Sequence, residues 1–296
     1  MDFNQVIQNF QAAMLTNGVT PPDCIIADGQ LQRFYIQGDK RGSKNGWYTV
    51  FADNTPCGMF GSWKEGVTHK WCSKRRESMS NRQYKEYKQQ MEKAKLQRAE
   101  ERASEQAEAA RLAKHIFYGC LPADPVHPYL VRKRIKPFYA HQKGSYLVLP
   151  VINFDGNFHS LQMIASNGDK WFLSNGVIAG HFIPIQHQPV DRKKILICEG
   201  FSTGGALAQL YPEACVIAAC NAGNLKPVAV NIRQHLPVSE IVIGADIDQV
   251  GLLSAREAAR AANATIIKPK FPPSASKKFN DFNDLWLCLG SVERQI

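Results

Sequence analysis

The second part of the chain alternates short apolar runs with helix-like segments, and this alternation constrains the fold more than any other feature. The pattern predicts strands at 194–199, 215–219, 240–246 and 264–268. Helices are predicted between them at 203–211, 226–235 and 251–262. Strand–helix alternation at this spacing is typical of a parallel sheet covered by helices. Residues 191–296 are therefore predicted to form an α/β domain with a parallel-sheet core.

Carboxylates follow two of these predicted strands. Glu199 comes directly after "KKILIC", Asp246 and Asp248 end "EIVIGADID", and "KKFNDFNDLW" later adds Asp281 and Asp284. Functional groups gather at the carboxyl ends of parallel strands, so these acids are expected at one edge of the sheet. Carboxylates this close raise each other's pKa unless a cation lies between them, and oxygen ligands suit Mg²⁺ or Mn²⁺. The alternative is that Asp246 or Asp248 simply caps the next helix.

The net charge of the chain is unevenly distributed. The 296 residues carry a formal charge of +10, and residues 74–114 alone have 12 basic and 7 acidic side chains. A length near 300 predicts roughly two domains. A basic balance favours a polyanionic partner, most commonly nucleic acid. For residues 74–114, however, a solvated helix surface is the preferred explanation of the charge.

Residues 1–73 read as a small β-rich module. A short amphipathic helix at 1–18 precedes the apolar stretches "RFYIQ", "GWYTVFA" and "GMFGSW". The basic loop "GDKRGSKNG" lies between aromatic residues. Basic loops beside aromatic rings suit single-stranded nucleic acid, and the alternative is that the aromatic rings form the core of the module. The candidate contacts with a template strand are Lys40, Arg41, Lys44 and Trp47.

Residues 74–114 lack Gly and Pro and are rich in helix-forming residues, so we predict a long solvated helical linker. Beyond it, residues 115–190 begin with a loop rich in Pro and a short basic helix from His127. Apolar stretches separated by Asp-Gly and Asn-Gly turns then predict hairpins, so this segment is expected to be a mixed α+β subdomain.

The eight cysteines contain no CxxC pair, and several lie in apolar runs. They are expected to be reduced thiols of a cytoplasmic protein. Cys57, His69 and Cys72 are an alternative zinc site, but paired ligand spacing is missing and no zinc is expected. No apolar run is long enough to span a membrane, and the N-terminus lacks the pattern of a signal peptide.

The acid-bearing segments carry a resemblance to a known family. "CEGFSTGG", "ADIDQVG" and "KFNDFND" resemble, in order, the three motifs of the TOPRIM domain of bacterial DnaG-type primases. "HPYLVRKRI" is similar to the helix that opens the catalytic core of that family, and Lys170 stands where a lysine precedes its "YLNS"-like stretch. The resemblance covers residues 126–290. Thr203 replaces the family's first-motif Asp, and the zinc ribbon is absent, as in some phage and mobile-element primases.

This resemblance implies a DNA primase that makes short RNA primers on single-stranded DNA. The implied ligands of roughly one to three Mg²⁺ or Mn²⁺ ions are Glu199, Asp246, Asp248, and Asp281 or Asp284. Glu199 is either a ligand or a general base. The segment Asn221-Ala222-Gly223-Asn224 matches a Gly-Thr-Ala loop of the family. The implied contacts with nucleotide or template are Arg132, Lys133, Arg134, Lys170, Asn221 and Asn224.

Two other functions stay open. The same acids serve TOPRIM nucleases, and a non-catalytic nucleic-acid-binding replication or conjugation factor would keep the same fold. The expected partners of a primase are a single-stranded DNA template and ribonucleoside triphosphates. Because the chain has no phosphate-binding loop of the helicase type, we expect unwinding to depend on a separate replicative helicase.

Overall fold

The computed structural model describes residues 2–186, 193–276 and 278–289. The chain divides into two compact units, Met1–Ser104 and Glu105–Ile296. The expected boundary between residues 190 and 191 lies outside the described residues. The finer division into 1–73, 74–114, 115–190 and 191–296 stays a prediction.

Helices and strands are numbered in chain order. The helices are α1 Phe3–Thr16, α2 Asn81–Tyr118, α3 Pro128–Lys133, α4 Phe201–Leu210, α5 Leu225–His235, α6 Gln249–Ala262 and α7 Phe282–Leu289. The first nine strands are β1 Gln32–Phe34, β2 Gly46–Phe51, β3 Cys57–Ser62, β4 Val67–Cys72, β5 Leu121–Pro122, β6 His141–Lys143, β7 Tyr146–Ile152, β8 Phe158–Ala165 and β9 Lys170–Phe172. The remaining strands are β10 Ile183–Pro184, β11 Lys194–Cys198, β12 Cys215–Ala218, β13 Glu240–Gly244 and β14 Thr265–Ile267.

The first unit is built around an antiparallel sheet in the order β1-β2-β3-β4. Every residue of β2 and β3 is buried. Successive side chains of a strand point to opposite faces. Tyr48 accordingly packs with Phe10 of α1, whereas Trp47 packs with Met91 of α2. The two central strands are thus covered on both faces.

Helix α2 is not solvated along its whole length, contrary to the expectation for a linker. It begins at Asn81 because Ser80 and Gln83 cap it reciprocally: each side-chain oxygen accepts the backbone N–H of the other residue, at 3.2 and 3.0 Å. Met91 and Ala94 are buried against the first sheet. The residues up to Ser104 are therefore part of the first unit and not a free tether.

The second unit contains two sheets. The first is an antiparallel sheet in the order β5-β6-β7-β8-β9. The second has the order β10-β12-β11-β13-β14, in which β12, β11, β13 and β14 are parallel and β10 is an antiparallel edge strand. The predicted α/β class with a parallel-sheet core is confirmed. The edge strand β10 was not predicted, since two residues carry no periodicity.

Helices cover both faces of the parallel sheet. Leu196 and Val242 face a core that includes Phe201 of α4 and Leu285 of α7. Ile197 faces the opposite core, which is closed by apolar residues of α5 and α6. Burial of the strands on both faces explains why they read as uninterrupted apolar runs, and it leaves the sheet edges as the places for polar groups.

Within the described residues, no helix combines the length and the apolar character needed to cross a membrane. All eight cysteines are free thiols. Cys57 and Cys72 are paired in register across β3 and β4, and the Sγ of Cys57 donates to Gln90 Oε1 at 2.9 Å. Burial raises the pKa of the Cys57 thiol to about 12, so it remains protonated at neutral pH.

Candidate active site

The acids that follow β11 and β13 leave the sheet at the same edge. The two strands are parallel neighbours, and Cys198 is in register with Gly244. Glu199 follows the first of these residues directly, and Asp246 lies two residues beyond the second. The two strands therefore end side by side, as expected for neighbouring strands of a parallel sheet.

Asp246 has a buried carboxylate oxygen that no group in the described part of the chain hydrogen-bonds. Its side chain is half-buried, and its Oδ1 is buried without a hydrogen-bond partner. Burial, followed by the charges of Asp281, Glu199, Asp248 and Asp284, raises the pKa of Asp246 to about 8. An ionised carboxylate at this position needs a positive partner, because burying an unpaired charge is costly.

Asp248 does two things at once. Its Oδ1 accepts the backbone N–H of Gly251 at 2.8 Å, so it is the N-cap of α6, as the alternative interpretation held. Its Oδ2 accepts from Asn280 Nδ2 at 3.1 Å, which ties it to the third acidic segment. Gly251 is required by space, since a Cβ there would lie 2.9 Å from the carbonyl oxygen of Asp246.

The third acidic segment begins α7. Asp281 Oδ1 accepts the N–H of Asp284 at 2.7 Å, and Asp284 Oδ2 accepts the N–H of Asn280 at 3.0 Å. Asp281 Oδ2 accepts from the hydroxyl of Thr203 at 2.9 Å. Asp281 therefore links the first and third acid-bearing segments, and Asn280 links the second and third.

Glu199 lies between a backbone donor and a cation. Burial and the charge of Asp248 raise its pKa, whereas the N–H of Ala222 and the ammonium of Lys170 lower it. The Lys170 ammonium is close, since a Cβ built on Gly200 would be 4.0 Å from its Nζ. A carboxylate with a raised pKa beside a lysine is a suitable group for accepting a proton near a phosphate.

These residues fit a divalent cation by chemistry. They offer oxygen ligands at an edge where one carboxylate oxygen has no donor, and Mg²⁺ or Mn²⁺ prefers such ligands. Over the part of the chain that the structure describes, no three His, Cys, Asp or Glu side chains are already arranged as a metal cage. Asp248, Asp281 and Asp284 instead direct their oxygens to N–H and hydroxyl donors.

Asn224 was predicted to bind nucleotide or template, and the structure corrects this. Its side chain is buried, and its Nδ2 donates to the carbonyl oxygens of Ile178, His181 and Ala219 at 2.7–2.9 Å. Its Oδ1 accepts the N–H of Gly180 at 2.7 Å. An amide whose donors and acceptor are all engaged inside the protein has a structural role.

Asn221 remains a candidate for substrate contact, because its side chain is exposed. Its Oδ1 accepts the N–H of Asn224 at 3.1 Å, which closes the turn that presents the N–H of Ala222 to Glu199. The role in substrate contact is compatible with this exposed amide and stays a prediction.

The predicted basic residues of α3 lie close to the third acidic segment. Asn283 Nδ2 donates to the Lys133 carbonyl oxygen at 2.8 Å, and Trp286 Nε1 donates to that of Arg134 at 2.9 Å. Arg132 bonds the carbonyl oxygen of Ser166 at 2.8 Å. The end of α3 is thus attached to the helix that begins with Asp281 and Asp284.

In the first unit, the candidate template contacts separate into two groups. Lys40, Arg41 and Lys44 are exposed, as binding to a strand requires. Trp47 is fully buried, and the Arg98 guanidinium lies 4.6 Å from its ring centroid. A buried ring cannot stack on a base, so the prediction for Trp47 is wrong. The continuous apolar run of β2 already carried this signal, since it lacks the alternation of a half-exposed strand.

Sequence reasoning missed two residues of the site. Thr203 was noted only as a departure from the resembled motif, and Asn280 was not singled out. Their contacts join residues 78 and 32 positions apart in the chain, respectively. No local pattern predicts such contacts, and only the meeting of β13, α4 and α7 at one edge produces them.

Comparison with known proteins concerns first the part of the second unit that carries the acids. Residues 194–291 match the family model described as Toprim domain. This range contains β11 to β14, the acids at their ends and the start of α7. The parallel strands of the second unit therefore lie within a segment that is similar to a Toprim domain.

The relatives extend the likeness beyond this domain. The chain is 26% identical over 286 residues to a DNA primase TraC of Escherichia coli, covering 92% of this chain and 26% of that protein. A second Escherichia coli DNA primase TraC is 26% identical over 277 residues, covering 89% of this chain and 19% of that protein. The chain is homologous to these primases and spans about a quarter and a fifth of their lengths.

The chain also has a partial likeness to two solved structures. The DnaG primase catalytic domain bound to single-stranded DNA has a TM-score of 0.46 at 12% identity, over 64% of this chain and 77% of that one. The primase fragment of the bacteriophage T7 primase-helicase has a TM-score of 0.43 at 17% identity, over 54% of this chain and 70% of that one.

Proposed function

We propose that this chain is the catalytic part of a DNA primase, which makes short RNA primers on single-stranded DNA by metal-dependent nucleotidyl transfer. The observation that carries the proposal is the buried, unpartnered Asp246 oxygen among four further acids in a Toprim domain. Homology to DNA primases over most of the chain supports the same reaction class.

In the proposed reaction, the 3′-hydroxyl oxygen of the growing strand forms a bond to the α-phosphorus of a ribonucleoside triphosphate. The bond from that phosphorus to the oxygen of the β-phosphate breaks, and pyrophosphate leaves. The hydroxyl proton must be removed as the new bond forms. We assign Glu199 to this role or to metal binding. The raised pKa of Glu199 and the neighbouring Lys170, which offers a cation to phosphate, support this assignment.

Asp246 and Asp248, with Asp281 or Asp284, are the proposed ligands of Mg²⁺ or Mn²⁺. When bound, such an ion neutralises charge on the triphosphate oxygens. Thr203 and Asn280 orient Asp281 and Asp248 through the hydrogen bonds described above. Of the two candidates in the third segment, we favour Asp281, because its charge raises the pKa of Asp246 more than the charge of Asp284 does.

The proposed partners follow from this role. The template strand would contact Arg132, Lys133, Arg134 and Lys170 in the second unit and Lys40, Arg41 and Lys44 in the first. All but Lys133 have exposed side chains, and Lys133 is half-buried. Ribonucleoside triphosphates would enter at the acidic edge. Unwinding of duplex DNA is assigned to a separate helicase.

A single assay tests the proposal against its alternatives. The protein is incubated with labelled ribonucleoside triphosphates, a panel of single-stranded oligonucleotides, and Mg²⁺ or Mn²⁺. We expect labelled oligoribonucleotides that require template, metal and Asp246. Fragments of the template would instead identify a nuclease, and binding without synthesis or cleavage would identify a non-catalytic factor. Glu257→Gln, an exposed acid on α6, is the matched control that should retain synthesis.

A further inference from the structure

The basic excess of the α2 region is concentrated at one end. Residues 74–98 contain nine basic and three acidic side chains, whereas residues 99–114 contain three basic and four acidic ones. Both stretches have the composition of an exposed helix. Either composition keeps a helix surface solvated. Solvation therefore does not explain why the basic excess lies in residues 74–98 and not in residues 99–114.

The structure shows that several of these cations are held in place. The Arg76 guanidinium lies 4.0 Å from the ring centroid of Tyr84, and the Lys88 ammonium lies 4.9 Å from the same centroid. Arg76 Nη1 also donates to the carbonyl oxygen of Met79 at 3.3 Å. The two cations on this ring are separated by less than a Debye length of about 10 Å, so salt screens the repulsion between them only in part.

Further cations adjoin this pair, and few acids compensate them. We define the Tyr84 cluster as Lys74, Arg75, Arg76, Tyr84, Lys85 and Lys88. All five of its basic side chains are exposed. Glu86 is paired with Arg82 at 3.1 Å, and Glu77 lies in the turn beside Arg76. The ion pairs of the described part of α2 join Arg82 to Glu86 and Lys95 to Glu92. Neither pair involves a cation of the Tyr84 cluster.

The helix that carries Tyr84, Lys85 and Lys88 of the cluster is anchored. Met91 and Ala94 are buried against the first sheet, and Gln97 donates to Gln30 at 3.2 Å. Because α2 is fixed to the sheet over this stretch, the cations of the cluster are displayed from a defined surface of the first unit. A preorganised group of like charges lowers the cost of binding a partner of opposite charge.

From these observations we infer that the Tyr84 cluster binds the phosphate backbone of single-stranded nucleic acid. The inference rests on the proposed function for the identity of the strand, namely the template. The ring of Tyr84 is engaged by cations, so the cluster offers charge and not a free aromatic face. Binding there is therefore independent of sequence and strongly dependent on salt.

The experiment measures binding without catalysis. The full chain is titrated into a fluorescein-labelled oligothymidine in EDTA, without nucleotides, over a series of salt concentrations. Each phosphate contact contributes about −0.7 to the log–log slope for a single strand. Lys85→Ala with Lys88→Ala removes two contacts, so the slope should become shallower by about 1.4 and affinity near 0.1 M salt should fall about 25-fold.

Two further variants keep the inference falsifiable. Lys74→Ala with Arg75→Ala lies outside α2, so it should reproduce the loss without any change in that helix. Arg102→Ala with Arg111→Ala removes two exposed cations from the balanced end of α2 and should leave the slope unchanged. Helicity measured by circular dichroism checks that the three variants are folded.

The outcomes separate this inference from the proposed function. An unchanged slope in both cluster variants, or an equal loss in the Arg102 and Arg111 control, overturns the role of the Tyr84 cluster even if the wild-type protein makes primers. A shallower slope confined to the cluster variants supports it even if the wild-type protein makes none, because the assay contains neither metal nor nucleotide.

Discussion

The two sheets that dominate the units of this chain use their residues in opposite ways. In the parallel sheet of the second unit, the strands are buried and the acids gather at the carboxyl edge. In the antiparallel sheet of the first unit, β2 and β3 are also wholly buried, but the two strands run in opposite directions, so their carboxyl ends lie at opposite edges of the sheet. Function in the first unit is therefore expected in its loops and on α2, and not on the sheet.

The largest effect is expected at the acidic edge. Asp246→Asn should reduce synthesis by at least about 1000-fold, since a bound metal ion contributes several kcal/mol to transition-state stabilisation. Template binding in EDTA should be unchanged. The variant should also have a higher melting temperature than wild type at neutral pH without divalent cations. Folding raises the pKa of Asp246 to about 8, so the folded wild-type protein must hold this carboxyl protonated at a cost that the amide avoids.

Thermal melts with and without Mg²⁺ test the same substitution independently of activity. The ion should raise the melting temperature of the wild-type protein, because a ligand that binds only the folded state stabilises it. It should leave Asp246→Asn unaffected. Near-normal synthesis by this variant at low Mg²⁺ would contradict the metal assignment.

The second prediction concerns the first unit. Trp47→Ala should destabilise it by about 3–5 kcal/mol, the usual cost of emptying a core aromatic site. Tyr35→Ala, which changes an exposed ring, should alter stability by less than about 0.5 kcal/mol. Chemical denaturation measures both. A small effect of Trp47→Ala would show that the two faces of the sheet are less tightly covered than the structure indicates.

The third prediction sharpens the role of the hydroxyl beside Asp281. Thr203→Val removes a donor while keeping the volume of the side chain, and partners that orient metal ligands typically change metal affinity by about 10–100-fold. We expect Mn²⁺ affinity, measured by calorimetry, to fall by about tenfold. Thr203→Ser should restore it. A merely structural threonine would change the melting temperature but not the affinity.

The smallest effect on the proposed metal site is expected from removing the first unit. A chain of residues 105–296 should keep its affinity for Mn²⁺, because every proposed ligand lies in the second unit. Its affinity for a single-stranded template should fall, since tethering a second binding module raises the local template concentration. Filter binding on a labelled oligonucleotide measures the difference. Equal template affinity in the two proteins would remove the first unit from template binding.

Much of the second unit could be predicted from local patterns. The alternation between 194 and 268 predicted the strands and helices to within a few residues, and the acids at the strand exits predicted the edge where they meet. Parallel strands make this inference strong, because a shared direction places all carboxyl ends together. The division of the chain at Ser104 was not predicted, since the composition of α2 does not show which residues pack.

The sequence by itself determined the class of the fold and the identity of the acids, because hydrophobic periodicity and strand direction are local properties. Only the tertiary structure decided which acid lacks a partner, which polar residues orient the others, and which aromatic ring is buried. Those outcomes depend on side chains distant in sequence: Thr203 meets Asp281, Asn280 meets Asp248, and Met91 helps to close the core around Trp47. Packing and hydrogen bonding across such separations are set when the elements assemble, so no short stretch of sequence encodes them alone.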